Sequence, residues 1–395
     1  MATGTIPVQG RSLLLALYGL FLLNGLLTAA LLWAVHGPSG SGTMMDFGAL
    51  WGAAVLALDG QAAAAYDLAT LTEVQSEGIG RPYEREMAWR YPPMLQMVLA
   101  PLGTLPLLAA QAIWTVLTLA FYVWVVWRIL PMPLGVAAAL APATVAMLIL
   151  SGQVGFLTAA LLGLVLLALA RPAGSFGGLS LGVPLGLLAI KPTLGLAVPL
   201  VLLAQARWGA ILWASATVVG AVALSALVLG AEAWIAFIDS IAGAVRDTAR
   251  VSAFDLHATV SGVFQQAGVF GWPGLAAQVA LSGAMAAALL VVAWRRSVAP
   301  LALAALTGYA TAGITPRIMD YELTVLLIGG LFHARHLTES TRPAARWEVP
   351  ALAIAMVLPH LDLLAGLPVN WLIAPMLFTA LLCAERAAAA ASRAG

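Results

Sequence analysis

From Leu105 to Trp127 the chain runs 23 residues without a charge, and stretches of this kind recur along its length. A bilayer core is crossed by about 20 apolar residues coiled as one helix, because lipid offers no partner to an open backbone amide. Candidate spans are Leu13–Val35, Pro93–Gly103, Leu105–Trp127, Leu134–Leu150, Val154–Ala170, Leu179–Leu203, Ile211–Leu229, Leu275–Trp294, Pro300–Ile314, Tyr321–Phe332, Val349–Leu364 and Trp371–Leu382, twelve in all. Several fall below the roughly 17 residues of a full crossing, so tilted, broken or re-entrant segments are expected. The expected fold is an all-α polytopic membrane protein, one domain over residues 1–395.

Composition agrees and excludes other classes. Hydrophobic residues make up 62% and charged residues 9%, against about 45–50% and about 25% in soluble domains. The 18 basic and 17 acidic residues leave a net charge of +1, which supplies no field for nucleic acid. A lone cysteine, Cys383, excludes a disulfide framework. The sequence Ile190-Lys191-Pro192 around the only lysine is not a phosphate-binding Gly-Lys-Ser/Thr loop.

Polar residues collect in two segments. Residues 36–91 form the first external loop and hold seven acids: Asp46, Asp59, Asp67, Glu73, Glu77, Glu84 and Glu86. Within it, Asp46–Leu58 and Leu68–Gly78 read as helices stopped by Gly60 and Gly80. Phe47, Leu50, Trp51, Ala54, Val55 and Leu58 share one face, as in an amphipathic helix lying in the membrane surface. Residues 231–257 form a second external segment. Arg11, Arg207, Arg295, Arg296, Arg335, Arg342, Arg346, Arg386 and Arg393 mark a cytoplasmic side with both termini inside, and Arg128 and Arg171 then fall outside, against the positive-inside rule.

The charges inside apolar runs are functional candidates. Lys191 lies 16 residues from Arg207, about 24 Å at roughly 1.5 Å per residue. A cation at that depth either snorkels, pairs structurally, or anchors an anion such as a lipid phosphate; Pro192 beside it breaks helical bonding. Asp46 is either a helix N-cap or a general base at the membrane surface, where an apolar neighbourhood raises basicity. Arg90-Tyr91-Pro92-Pro93 reads as a rigid entry into a helix that pins two polar groups at its edge. In Thr315-Pro316-Arg317, Arg317 offers a planar fork for phosphate. Asp320 and Glu322 could take sugar hydroxyls, hold a divalent cation, or start a helix.

Other signals are weaker. Gln153 in an apolar run bonds across helices or touches a ligand. His257 stands at a membrane re-entry, where a histidine is more often structural than catalytic. His333 and His336 have metal-like spacing in an arginine-rich loop, but no clear metal motif occurs and no Asp-x-Asp is present. Trp51 and Trp89 either stack on sugar or anchor in the interface, with anchoring favoured.

These residues carry a resemblance to a known family. Asp46-Phe47 with Trp51-Gly52-Ala53-Ala54, Asp59-Gly60, Tyr66-Asp67, Tyr91-Pro92-Pro93, Pro101 to Pro106, Trp114, Gly152-Gln153, Ile190-Lys191-Pro192 with Pro199, Arg207-Trp208, and Thr315-Pro316-Arg317 leading to Asp320-Tyr321-Glu322 occur in order. Together they resemble glycosyltransferase family 87 of the GT-C superfamily, over nearly the whole chain. The resemblance implies a GT-C-like bundle of about twelve transmembrane helices with amphipathic juxtamembrane helices in the external loops. It implies sugar transfer, mannose or similar, from a polyprenyl-phosphate donor to a glycolipid or glycan acceptor, at the periplasmic face of a bacterial inner membrane; no cofactor is expected, and a divalent cation has no clear motif. Asp46 would be the acceptor-activating base, and Lys191 and Arg317 would hold the donor phosphate. Arg90, Tyr91, Gln153, His257, Asp320, Glu322 and Trp51 are the candidate substrate contacts. A transporter of polyprenyl lipid or solute is the competing reading, but it leaves the acid-rich loop ending in Tyr-Pro-Pro without a purpose, and no inverted pair of broken helices is visible.

Overall fold

Apolar chain with no outlet for its amides must satisfy them locally, and among the described residues every regular element is a helix or 3₁₀ turn. The computed structural model describes residues 25–26, 46–80, 82, 87–171, 177–247 and 258–394. Most of the expected span Leu13–Val35, and His257, lie outside the described residues.

The first loop folds into α1 (Phe47–Leu58) and α2 (Leu68–Ile79), joined by a 3₁₀ turn at Ala62–Tyr66. Then come α3 (Pro93–Leu99) with a 3₁₀ turn at Ala100–Thr104, α4 (Leu107–Ile129), α5 (Pro133–Leu140), α6 (Ala143–Ser151) and α7 (Gly155–Leu169). Helix α8 (Gly177–Leu187) passes through two 3₁₀ turns, Leu188–Ile190 and Pro192–Gly195, to α9 (Ala197–Ala204), followed by α10 (Trp208–Leu229) and α11 (Ala231–Asp247). The last part holds α12 (Val260–Gln266), α13 (Trp272–Arg295), α14 (Pro300–Ile314), a 3₁₀ turn at Asp320–Leu323, α15 (Thr324–Glu339), α16 (Glu348–Ala365), a 3₁₀ turn at Asn370–Leu372 and α17 (Ile373–Ala394).

Among the described residues, four stretches are long and apolar enough to cross a membrane: α4, α10, α13 and Asn370–Arg393. A fifth is counted if α5 and α6, bent by 66° at their junction, act as one span. On α10 only 6% of the apolar window is buried, so Leu212, Trp213, Val219, Leu224, Leu227 and Val228 face outward. An apolar face of that extent calls for lipid. Separate full-length crossings for all twelve expected spans are not seen, since several of them are short or broken helices.

The two ends of the bundle differ in charge. Arg335 Nη1 donates to the Ile129 carbonyl at 3.2 Å, joining the ends of α4 and α15. Arg207 Nη2 donates to the Leu169 and Arg171 carbonyls at 3.2 and 3.5 Å, and Arg296 is within electrostatic range of Arg207. Helices α7 and α15 run side by side, with Gly163 against Ile328, and both meet Gly308 of α14 through Leu166 and Gly329. Arg128, Arg171, Arg207, Arg296 and Arg335 therefore share one end. This corrects the expected outside placement of Arg128 and Arg171. The stretch Leu179–Leu203 is broken at Lys191 into two short helices whose outer ends both lie at the arginine end, α8 beside the start of α10, and Pro93–Gly103 is a seven-residue helix and a 3₁₀ turn, too short for a full crossing.

Buried acids and bases fasten the arginine-rich end. Arg342 donates Nη1 and Nη2 to Glu348 at 2.8 and 2.7 Å and Nε to Glu385 at 2.7 Å. His333 and His336 each use Nε2 toward one of these acids, Glu348 at 3.0 Å and Glu385 at 2.9 Å, and Tyr309 Oη lies 3.0 Å from His333 Nδ1. The metal-like His333/His336 spacing thus serves two separate carboxylates, and no group of three metal-capable side chains occurs among the described residues.

Helix α1 departs from expectation. Phe47, Ala49, Leu50, Ala53, Ala54 and Leu56 are all buried, so it is an interior helix and not one lying in the surface. Gln96 Nε2 donates to the Ala53 and Ala62 carbonyls at 3.0 and 3.1 Å, tying α3 to it. The Trp51 ring lies where a Cβ on Gly78 of α2 would clash. An amphipathic helix is found instead in α11, which packs Phe237 on Tyr66 at 6.0 Å between centroids and exposes Ile235, Ile238 and Ile241.

Gly178, Gly182 and Gly186 line the face of α8 that meets α10. A Cβ on Gly182 would approach the Ala210 carbonyl to 2.5 Å, and one on Gly186 the Thr217 Cβ to 2.5 Å. This is the small-residue contact that lets helix backbones close in lipid. Gly182→Leu is expected to force α8 from α10 and destabilise the protein by about 3 kcal/mol. A lowered melting temperature of the purified protein checks this.

Candidate active site

The end opposite the arginines brings the singled-out polar residues together. Proline cannot continue a helix and disfavours helical geometry in the residue before it. Pro192 accordingly breaks the chain at Lys191 (φ −145°, ψ 78°), between two 3₁₀ turns. The Lys191 ammonium meets the Glu322 carboxylate and sits 5.4 Å from the centroid of the Tyr91 ring. Arg317 lies within electrostatic range of Lys191.

Tyr91 is fixed at both ends. Its hydroxyl donates to Gln153 Oε1 at 2.9 Å, its carbonyl accepts from Tyr66 Oη at 2.8 Å, and its ring packs 5.2 Å from that of buried Trp89. Pro93 opens α3, as the rigid-entry reading expected. Asp46 and Tyr321 both lie within electrostatic range of Tyr91. Gly152 ends α6 with φ +65°, and a Cβ there would come within 2.8 Å of Phe47 Cβ. A glycine here lets the start of α1, and Asp46 with it, close on the Gln153 turn.

Asp46 stands before α1 without a side-chain capping bond to it. The helix-start reading does describe Glu322, whose Oε2 accepts from Met319 N at 2.9 Å. Thr315 Oγ1 donates to the Thr193 carbonyl at 2.9 Å, joining the Thr315-Pro316-Arg317 turn to the Lys191 break.

The remaining candidates sit apart in their contacts. Asp320, 8% exposed, accepts from Asn370 Nδ2 at 2.8 Å. Burial, with Asp362 nearby, pushes its carboxyl up to about 7 against the lowering effect of Asn370. Arg90 is exposed, and Trp51 bonds Leu105 and packs on α2. Sequence reasoning gave Tyr321 no role of its own within its motif and passed over Asn370, although Asn370-Trp371 is a polar break before an apolar run. A pocket lined by Thr259, Gln278, Leu323, Asn370 and Trp371 adjoins Asn370.

A carboxyl whose folded pKa is raised opposes folding once it ionises. The Asp320 contribution is absent below about pH 4, and stability falls as pH rises toward 7, by up to about 4 kcal/mol. Asp320→Asn keeps an acceptor for Asn370 and is expected to flatten this decline. Melting temperatures of both proteins from pH 4 to pH 8 test it.

Residues 89–316, more than half of the chain, match the family model described as glycosyltransferase family 87. No curated protein and no solved structure matches.

Proposed function

The chain belongs to glycosyltransferase family 87 and is a glycosyltransferase; from that premise we propose that it moves a sugar, mannose or a similar hexose, from a polyprenyl-phosphate donor to a glycolipid or glycan acceptor. Membership of an enzyme family removes the ground for a transporter. The observation that carries the proposal is the gathering of Lys191, Tyr91, Gln153 and Glu322, with Arg317 and Asp46 in electrostatic range, at one end of an apolar bundle. Arginines crowd the other end, which the positive-inside rule assigns to the cytoplasm. The site then faces the periplasm of a bacterial inner membrane.

The reaction is a single displacement. Asp46 takes the proton of an acceptor hydroxyl as that oxygen bonds to the anomeric carbon. The bond from that carbon to the phosphate oxygen breaks, its electron pair leaves with the lipid phosphate, and configuration inverts. Lys191 and Arg317 stabilise the growing phosphate charge, far more effectively in a low-dielectric pocket than in water. Phosphate leaves without an acid to protonate it, so one carboxylate suffices where most glycosidases use two.

The test incubates the purified protein with labelled polyprenyl-phosphate mannose and a membrane lipid extract. A new labelled glycolipid or glycan is the expected product. Release of free sugar alone, or no turnover with any of several polyprenyl-phosphate hexoses, would overturn the donor assignment.

A further inference from the structure

Glu322 is 2% exposed, and its two oxygens have different duties. Oε2 is held by the Met319 amide at 2.9 Å, which fixes the carboxylate at the start of its turn. Oε1 meets the Lys191 ammonium in an ion pair. The same ammonium lies 5.4 Å from the centroid of the Tyr91 ring, itself fixed through Gln153. The lysine thus meets two hydrogen-bonded partners, on a flexible four-carbon stem.

We propose that Glu322 is the resting counter-ion of Lys191, that it competes with lipid phosphate for the ammonium, and that it thereby favours the donor over the spent lipid. The inference rests on the reading of Lys191 as the donor-phosphate anchor. A sugar phosphodiester carries one negative charge. The phosphomonoester left after transfer carries about −1.5 to −2 near neutral pH, as other phosphate monoesters do. A fixed carboxylate beside the binding cation repels the second more than the first. Glu322 therefore weakens both lipids at Lys191 and weakens the product more, which speeds its departure.

Glu322→Gln keeps an acceptor for the Met319 amide and removes the charge. Binding of polyprenyl monophosphate and of polyprenyl-phosphate mannose is to be measured by calorimetry on the full-length wild type, Glu322→Gln, Glu322→Asp and Lys191→Met in detergent. In Glu322→Gln the monophosphate is expected to bind about tenfold tighter, equivalent to about 1.4 kcal/mol, and the phosphodiester to gain less. Product inhibition of transfer should deepen in parallel. Glu322→Asp keeps the charge but withdraws it from the lysine by one methylene, and should shift affinity the same way by a smaller factor. Unchanged or weaker monophosphate binding in the glutamine variant, or in the aspartate variant if the first does not fold, overturns the counter-ion role. In that case loss of binding in Lys191→Met still sustains the phosphate site. Equal binding by wild type and Lys191→Met removes the site and the inference together.

Discussion

Asp46→Asn is expected to lower sugar transfer by about 10²–10⁴-fold, the usual worth of a general base, while binding of the proposed polyprenyl-phosphate donor stays as in the wild type. Asparagine matches the shape of the carboxylate and cannot accept a proton at neutral pH. The side chain does not cap α1, so its replacement takes no helix-start bond away. Its neighbourhood includes Tyr91, which stands against the lysine proposed to hold donor phosphate, so a base here is within the same polar cluster as that proposed anchor. Transfer of labelled sugar and calorimetric binding of the donor, measured on the same preparation, separate loss of chemistry from loss of the site. Transfer within threefold of wild type would remove Asp46 from the mechanism.

Arg342→Met is expected to destabilise the protein by about 3–5 kcal/mol, because it strips the guanidinium from two buried carboxylates at once and leaves them their histidine contacts. The arginine is 11% exposed, and Glu348 and Glu385 are 0% and 10% exposed. Burial alone would push the Glu348 carboxyl up, but hydrogen bonds from Arg342, His333 and the Ala345 amide outweigh it and hold it at about 2. A depressed folded pKa stabilises above the unfolded value, near 4.5, and this stabilisation is lost as pH falls toward 2. The variant should therefore show its largest deficit at neutral pH and a shrinking one under acid. A thermal melt at pH 7 within 1 °C of wild type would show that the cluster does not hold α14 to α17 together.

The family match covers residues 89–316. Asp46, Arg317, Asp320 and Glu322 lie outside that range and are placed with or apart from the site by packing alone.

Helical class and membrane character were legible in the sequence, since unbroken apolar runs leave the backbone no other way to satisfy its amides. The Pro192 break at Lys191 and the Pro93 helix entry were legible for the same local reason: proline acts on its immediate neighbours. The number of crossings was not. Whether an apolar run of 25 residues such as Leu179–Leu203 crosses once or turns back at its middle depends on what its charged residue meets, and Lys191 meets Glu322, far along the chain. The spacing Gly178, Gly182, Gly186 was present in the sequence, but its meaning needed the face of α10 that it packs on. Likewise, the burial of most of α1 could not be read from its own residues, because small and apolar side chains suit a bilayer surface and a protein interior equally. The sequence alone determined which residues could bear charge in an apolar chain. Only tertiary structure decided which of them share an end, because ion pairs and close helix contacts join positions whose separation along the chain carries no record of the pairing.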